Sequence, residues 1–293
     1  MKKDVSCLLA LLEKAVEKAC EEKVGAVFSS GIDSAVVSVL ASKYSDVTAY
    51  SVGTKDSEDL KYVRKAMQDL PFNTQIIEVS DEDVEGMLPE LVKIVGNPDP
   101  LKVSVGVPLF FAAREAKKDG LKVMLSGQGG DELFGGYNRY LKIVAGGDAE
   151  GLRSAMQKDV DNAYIDNLDR DIAICKHFGI DLRFPYMDAA FGKYASGLPV
   201  DLKVYELKEG EKEVFSCVDV FEGKRFIRKY LLRHLAEEAG VPKYILDRKK
   251  KAAQYGSGSE KIVMRLARKN GYKSEALRAG RTDYVRMYLE SLA

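Results

Sequence analysis

The stretch Lys23-Val24-Gly25-Ala26-Val27-Phe28-Ser29-Ser30-Gly31-Ile32-Asp33-Ser34 decides the fold, together with the apolar run Ala35-Val36-Val37-Ser38-Val39-Leu40 that follows it. A β-type run, a Ser/Gly turn and a helix start succeed one another within eighteen residues. Free backbone N–H groups and the positive end of a helix dipole would meet there, which is how α/β proteins hold phosphate. Gly31 allows close backbone approach, and Ser29, Ser30 and Ser34 add hydroxyls. Asp33 would repel a phosphate unless a Mg²⁺ ion bridged the two. No lysine occurs in this loop, unlike a Walker loop with its Gly-Lys-Ser/Thr. That difference favours grip on a departing pyrophosphate over transfer of a γ-phosphoryl group. An ordinary strand-to-helix turn would have the same pattern.

The second stretch, Ser126-Gly127-Gln128-Gly129-Gly130-Asp131-Glu132-Leu133-Phe134-Gly135-Gly136-Tyr137, follows another buried-strand pattern, Leu121-Lys122-Val123-Met124-Leu125. Five glycines and two acids after a strand exceed what a turn requires. In a doubly wound sheet, ligands lie at the carboxyl ends of the strands, so Asp33 and Asp131 are expected to face one metal and one pyrophosphate from two strands.

Together these motifs resemble the synthetase domain of asparagine synthetases, members of the ATP-pyrophosphatase superfamily that also holds β-lactam synthetases. The first site is similar to the family's Ser-Gly-Gly-x-Asp-Ser, with Ser30 at the second position. The second matches Ser-Gly-x-Gly-x-Asp-Glu-x-Phe-Gly-Gly-Tyr. Asn167-Leu168-Asp169-Arg170-Asp171, the run from Asp181 to Asp188 and the segment Arg248-Lys249-Lys250-Lys251 through Gly258 extend the likeness over residues 23–260.

The resemblance implies a doubly wound parallel α/β sheet of the adenine nucleotide alpha hydrolase type, a PP-loop ATP pyrophosphatase, with a mainly helical C-terminal part. It implies ATP and Mg²⁺ as cofactors. A carboxylate, L-aspartate first, would attack the α-phosphorus, and ammonia would then displace AMP. Phe28, Val52, Ser126 and Gly127 would hold AMP, largely through main-chain groups, whereas a place in the core would explain Phe28 and Val52 equally well. Ser29, Ser30, Gly31, Asp33 and Ser34 would hold pyrophosphate, and Asp33 and Asp131 the metal. Lys250 would neutralise charge in the transition state; Lys249 and Lys251 compete for that register, which Gly256 and Gly258 favour for Lys250.

Two departures bear on function. Glutamine-dependent members carry an amidotransferase domain. This chain starts Met1-Lys2, so nitrogen is expected as free ammonia or from a separate glutaminase subunit. Gln128 stands where many asparagine-forming members carry an acid thought to take a proton from ammonia, and an amide cannot act as a general base. Gln128 would instead orient substrate, or amide formation would be redirected. The alternatives are an ATP pyrophosphatase acting on another carboxylate or an RNA base, and a non-catalytic nucleotide-binding partner of an amidotransferase.

Organisation fits this frame. A helix over 5–20 precedes strand patterns at 23–28, 48–53, 74–79 and 122–126, alternating with helical patterns at 34–43, 57–69, 82–95 and 107–118. The expected units are 1–22, an N-terminal helix; 23–145, the α/β core; and 146–293, a helical part completing the site. Lys224 to Ala239 reads as one helix with a basic exposed side, and Leu207 to Glu213 as a solvated loop. His177 and His234 lack metal-ligand spacing.

Forty-five Lys plus Arg balance 45 Asp plus Glu. No global field draws the chain to nucleic acid or membrane, and no apolar run has spanning length. The four scattered cysteines, without a C-x-x-C pair, are expected reduced and mostly in the core, as in a cytoplasmic enzyme. Self-association stays open.

Overall fold

The computed structural model describes residues 1–293, apart from the side chain of Asp166. Five strands form one parallel sheet: β1 (Lys23–Val27), β2 (Asp46–Gly53), β3 (Asn73–Glu78), β4 (Val123–Leu125) and β5 (Asp181–Arg183). Their spatial order is β3-β2-β1-β4-β5, and every neighbouring pair runs parallel.

Parallel strands are buried on both faces, so their side chains are apolar in both directions. Val24, Ala26, Val47, Ala49, Val123 and Leu125 enter one core, which includes the helices Lys2–Ala19 and Ile32–Ala41. Tyr50, Val52 and Met124 enter the other, beneath the helices Asp81–Val95 and Pro100–Lys118. From β1 the chain moves outward to β2 and β3, then returns across the second face to β4 on the opposite side of β1. The order reverses at that point, and the carboxyl ends of β1 and β4 lie side by side. A crevice forms where the two connections diverge.

The N-terminal helix docks through Leu8, Leu12 and Val16, each with no exposed surface. Burial of each such side chain stabilises by about 1.5–3 kcal/mol. Its core is shared with Leu231, Leu232 and Leu235 of the helix Tyr230–Glu238, so the first helix and a late helix are packed into one body.

Past residue 145 the chain holds more strand than expected. β5 extends the parallel sheet, and β6 (Val204–Leu207), β7 (Asp219–Phe221) and β8 (Lys224–Arg228) form a separate antiparallel sheet in the order β6-β8-β7. The expected helix over 224–239 is therefore a strand followed by the helix Tyr230–Glu238. Its first residues are held in a hairpin by Glu222 and Gly223, both at positive φ (48° and 77°), as a tight two-residue hairpin turn requires. Nor do its basic side chains form one exposed face: Arg228, Lys229 and Arg233 are buried, and only Lys224 and Arg225 reach solvent. Leu207 closes β6 and is buried as well, while 208–213 is largely exposed.

All four cysteines are free, with Cys175 and Cys217 buried and Cys7 and Cys20 half-buried. Among the described residues no helix is long and apolar enough to cross a membrane.

Candidate active site

The Ser/Gly turn after β1 ends with Gly31 as the N-cap of the helix Ile32–Ala41. Ser30 is at φ +54°, the left-handed region that non-glycine residues seldom occupy. Arg248 holds it there: Nη1 donates to Ser29 O at 2.7 Å and to Ser30 Oγ at 2.8 Å, and Nη2 donates to Asp59 Oδ1 at 2.5 Å. Asp59 is buried, which pushes its carboxyl up, while Arg248 works against that shift. Within the turn, Gly31 N–H donates to Ser29 Oγ at 3.3 Å and Ser34 Oγ donates to Gly31 O at 3.1 Å.

The loop after β4 packs directly on this turn. A Cβ added at Gly127 would lie 2.7 Å from Asp33 C and Ser34 N, closer than real Cβ atoms approach, so only glycine lets the two loops meet. A Cβ at Gly136 would strike the Asp131 carboxylate and Lys229 Cε. Gly127, Gly130 and Gly136 thus clear space around Asp33, Asp131 and Lys229, while Gly129 and Gly135 make room for Met187 with Tyr186 and for Val204.

One charged cluster joins two acids to two lysines. Lys229 Nζ lies 2.5 Å from both oxygens of Asp33 and 2.7 Å from Asp131 Oδ1. Lys250 Nζ lies 2.6 Å from Asp131 Oδ2. Burial would raise the Asp131 carboxyl, but Lys229 and Lys250 together hold it well below the usual carboxylate range. For Lys250 the burial penalty is likewise outweighed, and Asp131 and Asp33 push its ammonium up. Both groups are charged at neutral pH. Lys229, at φ +57°, is fully buried; a non-glycine left-handed residue costs roughly 1–3 kcal/mol, which the ion pairs and packing around it offset.

No lysine lies in the Ser/Gly turn itself, and the two that reach the aspartates come from positions 229 and 250. Of the three adjacent lysines, only Lys250 makes this contact. Lys251 Nζ sits 2.5 Å from Glu58, and Lys249 is exposed.

A cavity of about 170 Å³ opens beside the cluster. Phe28, Ser29, Gly31, Asp33, Ser34, Val52, Ser126, Gly127, Gln128, Asp131 and Lys250 all line it. Ser30 does not: it is fully buried under Arg248 and shapes the turn from behind. Phe28 N–H is already committed to Tyr50 O at 3.0 Å, and Phe28 O accepts from Ser51 Oγ at 2.7 Å, while Ser126 N–H donates to Arg183 O. Main-chain contacts from these residues to a ligand are narrowed to carbonyl lone pairs. Val105, Pro108, Leu109 and Ala112 of the helix Pro100–Lys118 supply an apolar wall.

At one end of the cavity Gln128 Nε2 donates to Asp171 Oδ2 at 3.0 Å, and Arg170 holds Asp171 Oδ1 at 2.7 Å. Burial raises the Asp171 carboxyl against the pull of Arg170 and Gln128. Gln128 is thus tied to a carboxylate in the cavity wall.

Sequence reasoning missed Lys229, Asp59 and Arg233 as parts of this region, and it placed Asp171 in a matching motif without giving it a role. The only available signal for Lys229 was the Glu222-Gly223 hairpin turn, which makes 224–228 a strand and sends Lys229 inward at its end. His177 pairs with Glu90 at 2.7 Å, and His234 approaches Glu237. Among the described residues no group of three or more His, Cys, Asp and Glu side chains is placed to hold a metal.

The chain is 37% identical over 269 residues to a putative asparagine synthetase [glutamine-hydrolyzing] of Methanocaldococcus jannaschii, covering 87% of this chain and 50% of that protein. It is 24% identical to a probable asparagine synthetase of Dictyostelium discoideum (86% and 47%) and 26% identical to a root asparagine synthetase of Pisum sativum (87% and 43%). The chain spans about half the length of these relatives. Among solved structures, NMN synthetase from Francisella tularensis aligns over 99% of this chain and 92% of its own, at TM-score 0.46 and 13% identity. The Asparagine synthase pattern matches residues 8–151 and 144–280, segments that between them contain both loops, both acids and both lysines; the chain belongs to the asparagine synthase family.

Proposed function

We propose that the chain is the synthetase part of an ATP-dependent amide ligase. It adenylates a carboxylate, L-aspartate first among candidates, with release of pyrophosphate, and ammonia then displaces AMP. The observation that carries this reading is the convergence of Asp33 and Asp131, from the turns after two adjacent parallel strands, with Lys229 and Lys250 at 2.5–2.7 Å. Such an arrangement suits a leaving pyrophosphate at the rim of a cavity with an apolar wall.

In the first step a carboxylate oxygen forms a bond to the α-phosphorus while the bond from that phosphorus to the pyrophosphate oxygen breaks. Alignment and charge neutralisation carry most of the catalysis. Lys250, in the cavity wall, faces the charge that builds at phosphorus and later at the tetrahedral carbon. The turn residues Ser29, Gly31 and Ser34 offer hydroxyl and helix N-terminal groups to the pyrophosphate. Val52, Phe28, Ser126 and Gly127 line the side where adenosine would lie.

The two carboxylates are of the donor type Mg²⁺ takes, one or two together with substrate phosphate oxygens, but Lys229 Nζ, 2.5 Å from Asp33 and 2.7 Å from Asp131, stands between them and would have to give way to the ion. Asp33 and Asp131 would hold the ion, which when bound supplies charge neutralisation of the pyrophosphate.

In the second step ammonia adds to the acyl carbon, AMP departs with the electron pair of the acyl–oxygen bond, and the nitrogen gives its proton to solvent, since the amide of Gln128 cannot take it. Gln128 orients the acceptor end through its bond to Asp171. Free ammonia or a separate glutaminase would provide the nitrogen.

Product analysis with Mg-ATP, L-aspartate and ammonium, each omitted in turn, tests the proposal. AMP and pyrophosphate that depend on aspartate, with asparagine formed when ammonium is present, are expected. Nucleotide turnover indifferent to aspartate would move the search to another carboxylate, and ADP as product would overturn the adenylation itself.

A further inference from the structure

Arg233 is only 2% exposed, and its guanidinium is spent on backbone carbonyls. Nε donates to Arg228 O at 2.9 Å. Nη1 donates to Leu246 O, and both terminal nitrogens reach Arg248 O at 3.4 Å. Arg228 is the residue before Lys229, and Arg248 lies two residues before Lys250. One side chain therefore ties together the two backbone segments that deliver the site's lysines.

We propose that Arg233 is a positioning residue that sets the separation of Lys229 and Lys250 around Asp131. The inference rests on the reading of this cluster as a pyrophosphate site. Only a guanidinium has donors in a rigid fork that can reach carbonyls on two strands of chain at once; an ammonium is a single point. The two segments differ in their support: Lys229 follows directly on the paired strand β8, whereas Arg248 to Lys250 has no strand partner. Lys229 is the left-handed N-cap of the helix Tyr230–Glu238, and Arg248 to Lys250 lies between the short helices Lys243–Leu246 and Ala253–Gly256. Arg248 then passes the constraint onward, since its own guanidinium holds Ser29 O and Ser30 Oγ of the first turn. Loop, acids and lysines are linked through two buried arginines, of which Arg233 is the one that touches both lysine-bearing segments.

The test uses the whole chain with inorganic pyrophosphate and Mg²⁺ as the probe, read by calorimetry. Arg233→Lys keeps the charge and loses the fork. It is expected to weaken pyrophosphate binding about tenfold or more, the loss of one or two hydrogen bonds' worth of order, with circular dichroism unchanged. A purely structural role would not alter the cost of removing a lysine, so Lys250→Met is measured in both backgrounds. Its cost in affinity should shrink severalfold when Arg233 is already Lys. Equal costs in the two backgrounds, or wild-type affinity in Arg233→Lys, would overturn the proposal. Should Arg233→Lys fail to fold, Arg233→Gln, which keeps a donor for one carbonyl, is put through the same cycle with the same two outcomes. An unsubstituted chain that binds no pyrophosphate removes the site reading first, before any variant is made, and the proposal falls with it.

Discussion

Lys229 and Asp33 lie 196 residues apart in the chain, yet Lys229 Nζ stands 2.5 Å from both oxygens of the Asp33 carboxylate with no exposed surface on the lysine. Burying an ion pair is seldom worth its desolvation for stability alone, whereas removing one partner of a buried pair costs about 3–5 kcal/mol.

Lys229→Met should therefore cost on that order in urea denaturation at neutral pH. Asp33→Ala in the Lys229→Met background should restore part of the loss, because the orphaned carboxylate is gone. Two independent, additive losses would show that the pair is not coupled.

Lys250→Ala should reduce kcat/KM for aspartate-dependent pyrophosphate release about a hundredfold or more, the scale seen when a donor to developing transition-state charge is removed. Lys249→Ala should change it little, since Lys249, although it lines the cavity, is exposed and the contact to Asp131 is made by Lys250. The reverse ranking would reassign the register of the three lysines.

Gln128→Glu should raise amide formation if the missing base limits the second step. The side chain at 128 faces Asp171, whose carboxyl burial already raises. Two carboxylates at hydrogen-bond distance cannot both ionise cheaply, so one of them would keep its proton to higher pH. The ratio of amide to AMP should consequently climb with pH in this variant and stay flatter in the unsubstituted protein. A ratio indifferent to both the substitution and pH would mean that deprotonation of ammonia is not limiting.

Lys203 offers a stability test away from the catalytic cluster. Burial, helped by Arg153, lowers its ammonium from 10.5 to about 8. The folded state thus holds this proton less tightly than the unfolded chain, so stability rises with pH between about 8 and 10.5, and the full penalty applies below 8. Lys203→Met should be the more stable form at pH 7, by up to roughly 3 kcal/mol, and the gap should close as pH rises toward 10. A gap that is unchanged across that range would show that Lys203 is not the group responsible.

Much of the half that holds the five-stranded sheet was legible because its signals are local. Each β-run leading into a Ser/Gly turn can be read in a window of about a dozen residues, and the strands at 23–28 and 122–126 were found for that reason. The short β5 and the β6–β8 sheet escaped because three- to five-residue strands carry too few alternations to stand out from helical patterns. The run from Lys224 to Ala239 misled because charge on a helix usually marks solvent, and here Arg228, Lys229 and Arg233 point inward.

Residue types and spacing by themselves pointed to the α/β class, the two loops and the two aspartates, since backbone conformation after a strand depends on the residues next to it, whereas Lys250 was singled out through the resemblance to a family pattern. Only the tertiary structure decided that Lys229 stands between the aspartates, that Gln128 is tied to Asp171, and that Ser30 faces Arg248 instead of the cavity. Those contacts join positions 43 to 218 residues apart, and a Coulomb attraction over 2.5–3 Å exists only once folding has brought its two partners together.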